Sequence, residues 1–452
     1  MRRSPSRRLF LGQIVASIFV PQGRAKSDPL KDGFRLLEAR EAKLKSAFEK
    51  DPPAAIWGFD GIVPGPLLRF KKGEEVKIRL ANKLAQPLSL NWHGIRVTNS
   101  MDGVAGLTQE PIAPGGSFDY RFVPPESGFY WYHSHVLPLL GEQLGHGLYG
   151  AMIIDEPEPP TIDQDMVVIL DDWRCGAAAR LDDDCSSFTI NAAAGVAEKI
   201  LPPASRLRLR IVNAAYSLPL AAAFFGSAPL VLAVDSQPCE AFAPAKNTIP
   251  VGPGARFDVM LDLPPEEGAR AGLSLRGDKE AERTVLLFKT QGERRPPLAP
   301  IASLPQNPLL PAEIKLERAR KFEIAIETAS TSGAASAAAP GWKPPLNWRL
   351  NGKIFAGFAH PPLFSVKRGT PVTLGFANRA GRVLAIHLHG HAARLLHDLD
   401  DGWEPYWRDT VLIADGKTKH IAFVADNPGK WAIDCLAAEG PSAASASWFE
   451  VG

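Results

Sequence analysis

One short phrase occurs three times in the chain and constrains its fold more than any other feature. It stands as Val76-Lys-Ile78-Arg-Leu80-Ala-Asn82, returns as Leu207-Arg-Leu209-Arg-Ile211-Val-Asn213, and returns again as Val372-Thr-Leu374-Gly-Phe376-Ala-Asn378. Each copy alternates apolar and polar residues with period two, as a strand with one buried face does. A second phrase lies upstream of each: Trp57-Gly-Phe59-Asp60, Phe188-Thr-Ile190-Asn191 and Trp348-Arg-Leu350-Asn351, ending 22, 22 and 27 residues before the Asn. Downstream, Gly115, Gly254 and Gly416 each precede another alternating segment, at Phe118–Phe122, Phe257–Leu261 and Ile421–Phe423. Three copies of an all-strand unit predict an all-β chain of three Greek-key β-sandwich domains. The 39 glycines and 41 prolines agree, since both residues break long helices.

The domains are expected at residues 45–157, 158–293 and 310–452. Pro157 to Pro160 and the proline-rich run 294–311 read as linkers, and Ala329 to Ala339 as a flexible loop. Residues 26–50 read as partly helical and outside the repeats. Lys and Arg number 51 against 49 Asp and Glu, a formal charge of +2. With no basic stripe interleaved with aromatics, nucleic acid is an unlikely class of partner. No run approaches the roughly 18 apolar residues that cross a bilayer, so no transmembrane segment is expected in the mature protein.

The N-terminus resembles a twin-arginine export signal, with Arg7 and Arg8 as the pair, an apolar run to Val20 and small residues near Ala25. The resemblance implies removal of residues 1–25, export in the folded state and a periplasmic location, where disulfides are permitted. Cys175 and Cys185 could then bridge. Four cysteines allow three full pairings, and sequence names no partner for Cys239 or Cys435.

Six of the ten histidines fall in three phrases: Asn91-Trp-His93-Gly94, Trp131-Tyr-His133-Ser-His135 and His387-Leu-His389-Gly-His391. Residues i and i+2 of a strand point to one face, so a His-x-His pair can aim two imidazoles at one ion. His146, His360, His397 and His420 stand alone and read as loop or surface residues.

These phrases, with Met101–Gln109, Gly128–His135, Gly147–Gly150 and Trp407–Thr410, resemble the multicopper oxidases from about residue 50 to the end. The resemblance, laccase-like in its three-domain form, implies cupredoxin-like sandwiches. It also implies a trinuclear copper cluster between the first and last domains, fed by a type 1 copper in the last. The ligand sets it implies are incomplete here. Of the type 1 positions only Cys435 is kept, the others being Leu384, Gly440 and Ser445, so no type 1 copper is expected. The type 2 pair becomes Asn91 and His387. One type 3 set becomes His93, His133 and Leu436, and the other His135, His389 and Asp434. Asp102 matches an acidic position that assists proton delivery, or else caps the turn before Gly103. His391 matches a residue that is not a ligand.

A metal site at His135, His389 and Asp434, helped by His93 or His133, is the expectation. The metal would be copper in reduced number, down to a single ion, with iron as a further candidate. Its substrate would be a small molecule or a metal ion. The rival reading is a metal-free scaffold with a protein partner, like the copper-free member of the superfamily in bacterial cell division. No phosphate loop, Gly-x-Ser-x-Gly elbow or paired Cys-x-x-Cys competes.

Overall fold

The repeated phrases do one structural job each, which is why they recur. The asparagine closing each alternating strand ties that strand to the next turn. The Asn82 amide donates to the Gln86 and Ile112 carbonyls at 2.8 and 2.9 Å, and its oxygen accepts from the Leu84 N–H at 3.0 Å. Asn378 repeats the pattern with Arg382, Ile413 and Ala380, and Asn213 with Val251 and Ala215. The upstream Asp60, Asn191 and Asn351 sit at φ of 57°, 51° and 51°. That left-handed turn favours Asn and Asp, and each side chain accepts a backbone N–H of the neighbouring strand, from Glu38, Ile169 and Ala325.

The computed structural model describes residues 30–42, 56–174, 186–215, 219–276, 282–329, 347–354, 357–397, 402–437 and 444–452. The export signal, the Cys175–Cys185 pairing, Gly440 and most of the Ala329 to Ala339 loop lie outside them. The described residues form three two-sheet units with apolar cores between the sheets, and the fold is that of cupredoxin-like β-sandwiches. The first unit has two four-stranded sheets, and the middle and last units each have one of seven strands and one of five. No helix among the described residues is long and apolar enough to cross a membrane.

Two expectations change. Residues 26–50 hold a strand, Arg35–Glu41, that pairs in parallel with Val76–Asn82. The same parallel pairing opens the other units, through Gln164–Arg174 and Arg320–Ala329. Arg35–Glu41 escaped notice because it carries no β-branched residue and four of its seven side chains are charged. The proline-rich run is more than a linker, for it lies along the middle unit: Leu304 is buried beside Leu232, Ala233 and Met260, and the Asn307 amide donates to Gln237 at 2.8 Å.

The architecture places equivalent antiparallel strand pairs in the first and last units. Asn91–His93 pairs with Gly128–His133 so that Asn91 faces His133, and Leu384–Leu388 pairs with Gly429–Ala437 so that His387 faces Asp434. In the middle unit the corresponding strands, Leu220–Phe225 and Arg270–Arg276, carry no histidine. The first and last units dock through Arg96 on Asp426 at 2.9 Å, Asn99 on the Lys430 carbonyl at 2.6 Å and Asn427 on the Val97 carbonyl at 3.0 Å.

Candidate metal centre

Strand alternation divides the residues of Gly429–Ala437 between two environments. Asp434 and Leu436 face the interface with the first unit, and Cys435 faces the core of its own sandwich. The structure brings His93, His133, His135, His387, His389, Asp434 and Asp102 together at this interface, every one of them no more than 4% exposed.

Asp434 is the junction. Its Oδ2 lies 2.8 Å from His135 Nε2 and 2.9 Å from His389 Nε2, and the two rings stand nearly perpendicular. The other nitrogen of His389, Nδ1, meets Asp102 Oδ2 at 2.9 Å. With a carboxylate on each side, His389 is an imidazolium. Burial opposes its charge, but Asp102 and Asp434 outweigh burial and push its pKa up to about 10. Burial likewise works against the charge of Asp434, yet His135 and His389 hold that carboxyl well below its usual range. Two buried atoms here have no partner, His135 Nδ1 and Asp434 Oδ1.

Beside this triad His93 and His133 are neutral. Burial, helped by His135, lowers His133 to about 3, and burial with His387 lowers His93 well below the ordinary histidine value. Their tautomers follow from fixed neighbours. His133 Nδ1 must donate to the Ser134 carbonyl at 2.8 Å, since a carbonyl only accepts. Thr410 spends its hydroxyl proton on Asp409 at 2.9 Å, so at 3.3 Å it accepts from His93 Nε2. The remaining nitrogens, His93 Nδ1 and His133 Nε2, therefore both carry lone pairs, and they face each other at 3.2 Å. A cation between them would satisfy both.

Asp409 is the residue that sequence reasoning passed over, although its phrase, Trp407–Thr410, was in view. Asp409, His93 and His387 also place three donor atoms within 4.8 Å of one another. Asp409 is nevertheless committed elsewhere. Arg256 of the middle unit, fully buried, donates to Asp409 Oδ1 at 2.9 Å and to its other oxygen, and Asp235 accepts the Asp409 and Thr410 N–H groups at 3.1 and 3.0 Å. Burial opposes the Asp409 charge, and Arg256 still holds its pKa well below normal. His387 Nδ1 meets the Asp409 carbonyl at 3.3 Å, with the carboxylate Oδ1 also 3.3 Å away, so Asp409 takes the N–H of that ring and turns its other nitrogen inward. Gly94, at φ 88°, leaves the space that Arg256 and Asp409 fill, because a Cβ there would collide with both side chains.

Asp102 follows a single turn of 3-10 helix and precedes Gly103, but its side chain is buried and bonds His389 and the Asn91 amide. Gly103 has φ 79° and sits against the Leu90 carbonyl, where a side chain has no room. Asn91, at a type 2 position, spends its amide on the Asp102 carbonyl at 2.7 Å. His391 is buried rather than superficial, accepting from the Asn427 N–H and packing against Phe423, Trp431 and Phe449. Of the four lone histidines, His146 packs on Trp57, and all are partly covered.

The type 1 position is built differently. Cys435 pairs across the sheet with Ile386 on one side and Ser445 on the other, Leu384 is fully buried, and burial pushes the thiol well above its ordinary range. Cys435 and Cys239 are both free and buried. An apolar core with one protonated thiol does not fit a type 1 copper. Five imidazoles, with Asn91, Leu436 and Asp434 in the remaining positions, likewise do not fit three coppers.

Three cupredoxin-like sandwiches with a histidine centre between the first and last define a class. Two multicopper oxidase family models match, at residues 42–159 and 325–450, and the chain belongs to the multicopper oxidase family. It is 28% identical over 501 aligned positions to "Multicopper oxidase MmcO" of Mycobacterium tuberculosis, covering 96% of this chain and 94% of the relative. A "Copper resistance protein A homolog" of Pseudomonas syringae pv. tomato is 45% identical, over 27% of this chain and 20% of its own length. The crystal structure of a multi-copper oxidase from Pseudomonas thermotolerans superposes with a TM-score of 0.78 at 27% identity, covering 92% of this chain and 98% of that one.

Proposed function

We propose that the chain is an exported, non-blue metalloprotein of this family, with a metal centre of reduced nuclearity between its first and last domains. The principal ion is held by His135, His389 and Asp434, with His93 and His133 as the adjoining imidazole pair. The observation that carries this reading is the convergence of His135, His389 and Asp434, whose donor atoms lie within 4.8 Å of one another, beside the facing ring nitrogens His93 Nδ1 and His133 Nε2 at 3.2 Å. The unpartnered Asp434 Oδ1 supports it. The ion would supply Lewis acidity or electron transfer to a small-molecule or metal-ion substrate. The protein's own part is to exclude water, to fix each ring through Ser134, Thr410, Asp409 and Asp102, and to hold a proton on His389 between Asp102 and Asp434. With an ion on Nε2, His389 would keep the Nδ1 proton that Asp102 holds. Electron entry through a type 1 copper, and with it four-electron reduction of dioxygen, is not part of this function. The Arg7-Arg8 signal supports periplasmic export.

Elemental analysis of protein isolated from the periplasm, before and after reconstitution with copper, iron and zinc, tests the reading. Bound metal that disappears in the double variant His135→Ala, His389→Ala is the expected result, and unchanged stoichiometry in that variant refutes it. One observation favours the metal-free scaffold: Asp102, His389 and Asp434 balance two carboxylates with an imidazolium and need little more charge. Wild-type protein that takes up no ion after reconstitution would establish that alternative.

A further inference from the structure

We infer that the ion held by His135, His389 and Asp434 is a divalent ion of the ferrous class rather than copper. This rests on the reading that the centre binds metal at all, and it concerns which metal.

The first ground is the donor set. Two imidazoles and one carboxylate, with coordination positions left for exogenous ligands, is the set that suits non-haem iron(II), whereas copper in its reduced state favours sulfur and imidazole. Sulfur is kept out by strand parity. Cys435 adjoins Asp434 in sequence, and for that reason its side chain enters the opposite face, among Ile386, Trp431 and Phe449. Met101, the one methionine near the first-domain turn, turns its sulfur to the Arg121 N–H.

The second ground is which carboxylate is free to act. Three buried aspartates approach the histidines: Asp102 bonds the outer nitrogen of His389, and the charges of the other two are settled in opposite ways. Asp409 is neutralised by Arg256, a fixed cation that no ion can replace. Among the described residues Asp434 has no Lys or Arg partner. Its Oδ2 meets only two imidazoles, and its Oδ1 meets nothing. The carboxylate without a permanent counter-cation is thus the one flanked by two histidine Nε2 atoms at 2.8 and 2.9 Å.

The third ground is position. Asp434 stands where the family resemblance implies a histidine, so the hard oxygen donor is the local departure that changes the preference. Reversing it gives a direct test.

Metal-free full-length protein is offered ferrous iron and cuprous copper together, equimolar, under anaerobic and reducing conditions. Iron and copper per chain are then counted, and the iron is examined as its nitric oxide adduct by electron paramagnetic resonance. The variants are His135→Ala, Asp434→His and Asp434→Asn, with circular dichroism and thermal unfolding to confirm that each folds. Wild type should take one iron per chain and give the nitrosyl signal of a high-spin ferrous site. His135→Ala should lose both, and Asp434→His should lose iron affinity by roughly tenfold or more while gaining copper. Asp434→Asn, which keeps the side-chain shape, should weaken iron in the same direction. Iron retained equally in Asp434→His overturns the inference. So does a wild-type site that fills with copper alone and empties in His135→Ala, although that outcome leaves the metalloprotein reading intact. Failure of wild type to bind either metal overturns both.

Discussion

The two faces of the strand Gly429–Ala437 have met opposite fates. Toward the first domain a polar cluster persists: Asp434 Oδ2 holds two imidazoles, His387 is turned by Asp409, and His389 is clamped by Asp102. On the face turned inward, Leu384, Ile386 and Phe449 surround a lone thiol. Successive residues advance only about 3.3 Å along a strand, yet their side chains answer to different neighbours. The inward face can lose a ligand to a hydrophobe without cost, since its surroundings are already apolar and the sandwich core gains packing. The outward face has exchanged one ligand position for Leu436, but its remaining polar members support one another, and removing one of them strands the others without water. A site lost on one face therefore does not entail loss on the other.

The sharpest way to break the comparison is to attack the support that only the outward face has. Arg256 is fully buried between Asp409 and Asp235, and it joins the middle domain to the wall of the centre. Arg256→Met retains much of the volume but leaves two buried carboxylates without a cation. Breaking a buried pair in this way costs about 3–5 kcal/mol. Chemical denaturation should show a loss of that size, with Asp409→Asn in the same background recovering part of it. A loss under about 1 kcal/mol, the range of exposed pairs, would show that the ion pair does not hold the interface.

The sandwiches were legible because each repeated Asn and each left-handed Asp or Asn performs the same backbone duty, and a backbone duty leaves a fixed residue at a fixed spacing. The histidines were legible as phrases because each pair runs off the end of a strand, with His133 and His387 inside it and His135 and His389 just past it. The carboxylate that orients them was not. Asp409 acts through Arg256, which lies 153 positions away in a domain that gives the centre no histidine, and nothing local to either residue signals the partnership. Arg35–Glu41 was missed on other grounds: its pairing partner, not its composition, makes it a strand.

A second test presses the inward face to accept what it has lost. Leu384→His restores a type 1 ligand type beside Cys435, but Leu384 is fully buried, with Ile413 and Ala437 opposite it. The imidazole would replace about the burial of one leucine and place two ring nitrogens where few acceptors stand, for a loss of about 2–4 kcal/mol. Thermal unfolding should show it, and copper added to this single variant should give no intense blue colour.

The smallest effect is expected at the residue that a family resemblance would mark as most important. Cys435 is free, protonated and packed like a small hydrophobe. Cys435→Ala removes one buried sulfur and should cost about 1 kcal/mol, while the metal content of the centre stays at the wild-type value. The two readouts separate the faces. A stability loss with unchanged metal places Cys435 wholly in the sandwich core, on the far side of the strand from Asp434. Metal lost in this variant as completely as in His135→Ala would mean that the thiol reaches the ion, and the division of the strand into an apolar and a polar face would not stand.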